Sequence, residues 1–291
     1  MSAIGNLLAV PLEDIHAAFT DAFSTYEVKI PMPIERLAEM MRTRSYAPDL
    51  SLGCFDDGRL TGFLLAGLRE PDGVRTCYDL ATGVVQGSQK AGVGDRLLEA
   101  MLGQLRERGV GRFVLEVLVT NEPARRLYEK HGFRITRRLN CYERALDRSS
   151  GSGEKAVAKK AALQAPEQGR LDLANPRFQL FAPSWQNSIE SFRAGFEYYE
   201  VAWARVGDRL AGFAIVHRTS GSILQIGLDR PFRDREGMAA SIGAAAGATR
   251  ADKLVYLNVE AGCPLEPLLE ESGFSRTVDQ YEMEYRPTKE E

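Results

Sequence analysis

Six residues, Gln89-Lys90-Ala91-Gly92-Val93-Gly94, have the types and spacing to hold an anion. They follow an apolar run, Cys77 to Val85, that reads as a strand. They open a run with Leu97, Leu98, Met101, Leu102 and Leu105 at helical spacing. The first N–H groups of a helix have no acceptor inside it, and the helix dipole adds partial positive charge there. Glycines let an anion come close, so this strand, glycine turn and helix start form a candidate phosphate cradle. A tight turn with no ligand is the plain alternative. No Lys-Ser or Lys-Thr pair closes the loop, which disfavours a nucleoside-triphosphate site. Leu97 stands where a dinucleotide fingerprint needs its third glycine.

Two further blocks follow. The first is Leu115-Glu116-Val117. The second is Asn121-x-x-Ala124-x-x-Leu127-Tyr128-Glu129-x-x-Gly132-Phe133. Alternation in a strand puts Glu116 on the face opposite its neighbours, where it is either a solvated carboxylate or a base. Tyr128 is either packing on an amphipathic helix or a proton donor. Asn121 can cap the helix, and that role is compatible with binding a ligand.

Taken together, Q-x-x-G-x-G, LEV and N-x-x-A-x-x-LYE-x-x-GF resemble the GNAT superfamily of acyl-CoA-dependent N-acyltransferases. The spacing is similar to that of bacterial ribosomal N-terminal acetyltransferases. The resemblance is close from Thr82 to Phe133 and loose over the rest of the first half. It implies that Gln89, Lys90, Ala91, Gly92, Val93, Gly94 and Asp95 hold the pyrophosphate of acetyl-CoA. It implies that the backbone of Thr82, Gly83 and Val84 holds the pantetheine arm, on a strand that splays from the next one, with Asn121 as a further contact. By the same resemblance Tyr128 is the general acid for the thiolate. Glu116 is the general base for the amine, directly or through water, and partial burial would suit that task. Tyr26 and Glu27 are candidate acceptor contacts, because the segment after the first helix usually walls the acceptor pocket in this superfamily; a plain connecting loop is the equal alternative. Two departures bear on the cradle: Lys90-Ala91 stands where an arginine is common, and acidic Asp95 where a basic residue is common, with Arg96 and Lys90 available to compensate.

These residues need elements to position them. Leu7 to Val10 reads as a short strand, Pro11 to Phe23 as a helix and Tyr26 to Pro33 as extended; Ile34 to Met41 can resume a helix. Leu50 to Phe55 and Leu60 to Leu68 are strands around Asp56-Asp57-Gly58-Arg59, a hairpin signal. A strand from Val74 to Val85 leads to the loop, and the helix runs to about Arg108. Phe113 to Val119 is a strand, and Phe133 to Tyr142 supplies the last strands of this half. Residues 149–168, with Ser149-Ser150-Gly151-Ser152-Gly153, have linker composition.

The second half repeats this pattern. Tyr199 to Val206 and Leu210 to His217 form a hairpin around Gly207-Asp208-Arg209. Ser222 to Leu228 precedes Gly237-Met238-Ala239, Lys253 to Val259 is a strand, and Leu268-Leu269-Glu270-Glu271-Ser272-Gly273-Phe274 lines up with Leu127 to Phe133. The expected fold class is therefore α/β with mixed sheets, in two tandem GNAT-like lobes. Each lobe would be a twisted, mostly antiparallel sheet flanked by helices: a catalytic lobe at 1–148 and a degenerate one at 169–291. Leu269 replaces the tyrosine, Asn258 stands near the place of the glutamate, and Asp234 and Glu236 occupy the loop, so the second lobe is expected to be catalytically silent.

With 291 residues, the chain has the length of about two domains. A net charge of −3 with no basic block argues against a nucleic-acid binder. No apolar run nears the roughly 20 residues of a membrane helix. Four scattered cysteines and three distant histidines offer no metal or disulfide pattern, and they suggest a cytoplasmic protein. The expected activity is direct acetyl transfer from acetyl-CoA to a primary amine on a protein, peptide or small molecule, without metal. The rival expectations are a non-catalytic acyl-CoA sensor or interaction module, and transfer of a longer acyl group. The sequence leaves a homo-oligomer open.

Overall fold

The computed structural model describes residues 2–25, 32–89, 91–148 and 173–287. Tyr26, Glu27 and Lys90 lie outside them, as does the linker expected at 149–168. The chain divides into two compact units, Met1–Thr136 with Glu282–Glu291, and Arg137–Tyr281.

Unit 1 contains β1 (Ala3–Asn6), α1 (Leu12–Ala22), α2 (Ile34–Thr43), β2 (Leu52–Asp56), β3 (Arg59–Arg69), β4 (Thr76–Val84), α3 (Val93–Glu107), β5 (Arg112–Leu118) and α4 (Glu122–Lys130). Its strands run in the order β1-β2-β3-β4-β5. The first three pairings are antiparallel and β4–β5 is parallel. The hairpin between β2 and β3 turns at Asp57 (φ 47°) and Gly58 (φ 76°), as a two-residue Asp-Gly turn requires.

The first strand falls earlier than the apolar run Leu7 to Val10 suggests. The Asn6 side chain accepts the Leu8 N–H, and the Val10 N–H turns back to the Leu7 carbonyl. These bonds end the strand at Asn6, while Leu7 is buried as an anchor.

Strand β3 separates two helical layers. Phe63 stacks on Phe19 of α1, with ring centroids 5.9 Å apart. Its neighbour Gly62 faces the other way, where an added Cβ would stand 2.6 Å from Val93 at the start of α3. Leu97, Leu98, Met101, Leu102 and Leu105 are buried along one stripe of α3. Each such side chain contributes roughly 1.5–3 kcal/mol when fully buried. That stripe fixes where the helix, and so its N-terminus, sits over the sheet.

A strand β6 (Arg134–Ala145) begins in unit 1 and continues in unit 2. It is one unbroken strand where the sequence suggested more than one. The division therefore falls after Thr136, earlier than the boundary at 148 read from the sequence. The reason is packing: from Leu139 to Ala145, β6 pairs with a strand of unit 2 and buries Tyr142 there.

Unit 2 further contains α5 (Ile189–Ala194), β7 (Tyr199–Val206), β8 (Arg209–His217), β9 (Ser222–Leu228), α6 (Arg235–Ala248), β10 (Lys253–Glu260), α7 (Leu265–Glu271) and β11 (Ser275–Tyr285), whose last residues pass into unit 1. Its order is β11-β6-β10-β9-β8-β7. Again two antiparallel pairings, β7–β8 and β8–β9, are followed by a parallel one, β9–β10. Each unit is thus a mixed sheet with helices on it, the expected α/β class.

Candidate active site

Parallel strands β4 and β5 pair only at Thr76↔Arg112, Cys77↔Phe113 and Tyr78↔Val114. Beyond Tyr78, β4 runs on to Val84 and β5 to Leu118 with no register between them. The strands therefore split, with Asp79 as the first β4 residue past the apex. A β-bulge lies at the same place: Ala66 opposes Asp79 and Leu65 opposes Ala81, so Leu80 is extra. Past the bulge the Val85 N–H bonds to Thr61 of β3. Alternation then turns the N–H and C=O groups of Thr82 and Val84 into the split and those of Gly83 toward β3. Gly83 is needed for packing, since a Cβ there would meet the Phe63 ring at 2.5 Å.

Helix α3 begins at the end of this β4 edge. Gly92 is its N-cap, at φ 69°, with no side-chain cap. The first intrahelical bond is from Arg96 N–H to Gly92, so the N–H groups of Val93, Gly94 and Asp95 precede it. A Cβ at Gly92 would meet nothing within 4 Å, so the turn is open on that side. Asp95 does not leave a bare charge beside this opening. Lys130 Nζ donates to it at 2.7 Å and His131 Nε2 lies 2.8 Å away, and these partners hold its carboxyl below the usual range. The cost to anion binding expected from Asp95 is thereby offset. Gln89 Nε2 reaches the Val84 carbonyl at 3.5 Å. The split thus leads along the β4 edge to a helix start with no side-chain cap, an arrangement suited to an elongated anionic ligand.

The two candidate catalytic side chains occupy opposite faces of the sheet. Tyr78, across from Gly67 on the α1/α2 face, donates its hydroxyl to Glu116 Oε2. Burial, and then the Glu116 charge, push the Tyr78 phenol well above its ordinary value, so it stays a neutral donor that orients Glu116. Asp79 points to the α3/α4 face. Its Oδ2 accepts from Thr82 Oγ1 at 2.7 Å and from the Tyr128 hydroxyl at 3.2 Å. Tyr128 is buried on α4, its ring 5.5 Å from Phe133. Asn121 caps α4, accepting the Ala124 N–H at 3.2 Å, and so sets the rotation that points Tyr128 at the sheet.

Sequence reasoning missed Tyr78 and Asp79. The signal was present: Asp79 is a carboxylate inside an apolar strand, and such a residue is seldom buried without a partner. It also missed Gln86, whose N–H and side chain bond to Asp21, Ala22 and Thr25, tying the end of α1 to the strand that leaves the split. His16 Nε2 lies 2.7 Å from the Met32 carbonyl.

Unit 2 has a matching bulge and split, both closed by its own chain. Ile215 opposes Gln225 and Val216 opposes Ile223, so Leu224 is extra; β9–β10 pairing stops at Ile223↔Tyr256. The Ile226 N–H then bonds to the Tyr256 hydroxyl, and the Leu228 N–H to the Phe178 carbonyl. Asn187 Nδ2 donates to the Leu257 carbonyl at 2.7 Å, and Gln225 Nε2 donates to the Asn187 carbonyl at 2.7 Å. Asn258, next to the position that corresponds to Glu116, bonds to Ser184 and Gln280. At the start of α6 the Asp234 carboxylate caps the Gly237 N–H at 2.9 Å, and a Cβ at Gly237 would lie 2.1 Å from the Phe232 carbonyl. An acid thus occupies the position of the anion.

Among the described residues no group of three or more His, Cys, Asp and Glu side chains could hold a metal ion, and no helix is long and apolar enough to cross a membrane. The four cysteines are free and buried.

Residues 12–133 match the model of the acetyltransferase (GNAT) family. Among solved structures the chain is similar to a putative acetyltransferase from Pyrococcus horikoshii. The identity is 18%, the TM-score 0.62, and the match covers 99% of this chain and 90% of that one. It is also similar to a GCN5-related N-acetyltransferase from Sphaerobacter thermophilus, at 14% identity and a TM-score of 0.66, over 98% of this chain and 96% of that one. The ribosomal-protein-S18-alanine N-acetyltransferase from Escherichia coli is 24% identical over 48% of this chain and 81% of its own, with a TM-score of 0.41. No curated protein matches the chain.

Proposed function

Residues 12–133 are a domain of the GNAT acyltransferase superfamily, and from that premise we propose that the protein transfers an acetyl group from acetyl-CoA to a primary amine. The reading rests on one observation above others: the β4–β5 split opens beside the bare start of α3, with Glu116 on one face and Tyr128 on the other.

The acyl donor supplies a thioester, whose acetyl group passes to the amine nitrogen while the CoA sulfur leaves as a thiolate. The N–H groups of Val93, Gly94 and Asp95 hold its pyrophosphate, together with Gln89, Lys90, Ala91 and Gly92. Thr82 and Val84 bond the arm from the exposed strand edge. Glu116 receives a proton from the incoming ammonium, directly or through water, on the α1/α2 face. Tyr128 gives a proton to the departing sulfur on the α3/α4 face. The amine adds to the thioester carbonyl to give a tetrahedral intermediate, and collapse of that intermediate breaks the C–S bond; Glu116 serves the addition and Tyr128 the expulsion of sulfur. The acceptor is a protein or peptide amine or a small amine, with Tyr26 and Glu27 as its candidate contacts. Unit 2, closed at both counterpart positions, takes no donor. Four buried thiols suit the cytoplasm.

The test is thiol release from acetyl-CoA across peptide, protein and small-amine acceptors. Acceptor-dependent release is expected. Tyr128→Phe should lower kcat by roughly 10²-fold or more, the range of general acid–base contributions. Tight binding of acetyl-CoA with no release on any amine would instead identify a binding module.

A further inference from the structure

One buried ionisable group has no part in the mechanism above. Asp79 is 7% exposed, stands at the apex of the split and makes no ion pair among the described residues. Its Oδ2 accepts from Thr82 and Tyr128, while its Oδ1 is buried with no hydrogen-bond partner. A carboxylate so placed is costly to keep for structure alone. The Tyr128 hydroxyl, moreover, cannot direct its one proton to Asp79 and to a leaving sulfur together. A proton on Asp79 removes the conflict: the carboxyl donates to the phenol oxygen, and the phenol proton turns to the split.

We propose that Asp79 is the positioning residue of Tyr128, fixing its hydroxyl at the apex of the split and restoring its proton after each transfer. This rests on the acyltransferase reading. Tyr128 gives its hydroxyl proton to the leaving sulfur, which keeps the electron pair of the broken C–S bond. Asp79 gives its proton to the phenolate oxygen, and the Asp79 carboxylate takes a proton from water before the next turnover. Burial pushes the Asp79 carboxyl up to about 6, against hydrogen bonds from Thr82, Tyr128 and the Ala81 backbone, so it can exchange protons with water near neutrality.

The experiment uses the full chain, acetyl-CoA and the best amine of the panel, with Asp79→Asn, Tyr128→Phe and the double variant. Asp79→Asn should lower kcat by about 10- to 100-fold, less than loss of the direct donor, with acetyl-CoA affinity unchanged. In the Tyr128→Phe background the same substitution should have no further effect, as for residues acting as a unit. A carbon-13 titration of Asp79 gives a second reading on folded protein: removing the Tyr128 donor should raise its midpoint. Wild-type kcat in Asp79→Asn, an undiminished loss in the Tyr128→Phe background, or an unmoved midpoint would each overturn the inference while wild type still turns over. Wild type that releases no thiol on any amine would overturn the acyltransferase reading and this inference with it.

Discussion

Replacing Asp79 by Asn makes the burial of that one carboxylate measurable as stability. In the folded protein its carboxyl is pushed from 3.8 up to about 6, first by burial. The unfolded chain keeps the ordinary value. Between those values the native state binds more protons than the unfolded state, so stability falls as pH rises through that window. At about 1.36 kcal/mol per tenfold change in proton affinity, the ionised side chain costs the fold about 3 kcal/mol once both states are ionised, of which roughly 2.4 kcal/mol develops above pH 4. Asparagine carries no such cost. It keeps an acceptor for Thr82 and Tyr128 and puts an amide N–H₂ where Oδ1 had no partner, a penalty of about 1–3 kcal/mol that does not vary with pH. The assay is urea unfolding from pH 3.5 to 8, followed by circular dichroism and by tryptophan fluorescence. Both tryptophans, Trp185 and Trp203, belong to unit 2 and report it separately. The variant-minus-wild-type stability of unit 1 should rise by roughly 2.4 kcal/mol between pH 4 and pH 7 and then level off. A difference that stays flat across this range would refute the reasoning, whatever its sign.

Two further substitutions test how the elements are held. Gly62→Val places a side chain where even a Cβ stands 2.6 Å from Val93. It should cost roughly 1–3 kcal/mol by overpacking and weaken acetyl-CoA binding by displacing the start of α3; unchanged melting and affinity would contradict this. Asn187→Ala removes the donor to the Leu257 carbonyl that fills the unit 2 split. It should lower the tryptophan-reported stability by about 1–3 kcal/mol without adding a second acetyl-CoA site.

Local signals made much of unit 1 readable in advance. Asp57-Gly58 dictated a turn because both positions need positive φ, and the stripe from Leu97 to Leu105 announced α3 through its period. Gly92, Tyr128 and Asn121 fall on the elements their spacing implied. What was hidden depends on contacts distant in sequence. The run from Cys77 to Val85 reads as one apolar strand. Its bulge at Leu80 and its parting from β5 appear only when β3 and β5 take their places beside it, and those features turn Asp79 toward Tyr128. Asp95 seemed adverse because Lys130 and His131, its partners, lie a helix and a strand further on. The unit boundary inside β6 was masked because Leu139 to Ala145 continues the same strand while pairing with β10 of unit 2. The closure of the unit 2 split depends on Phe178 and Asn187, in a stretch with no motif.

The central claim, that unit 1 binds the acyl donor between β4 and β5 and at the start of α3, is tested most directly by calorimetric titration of acetyl-CoA into wild type and Gly92→Glu. Gly92 has φ 69° and open space around its Cβ position, so the glutamate brings both backbone strain and a negative charge to the anion site. The account predicts one equivalent bound by wild type and no binding by a variant that still folds. Two equivalents, or one equivalent retained in full by Gly92→Glu, would contradict it.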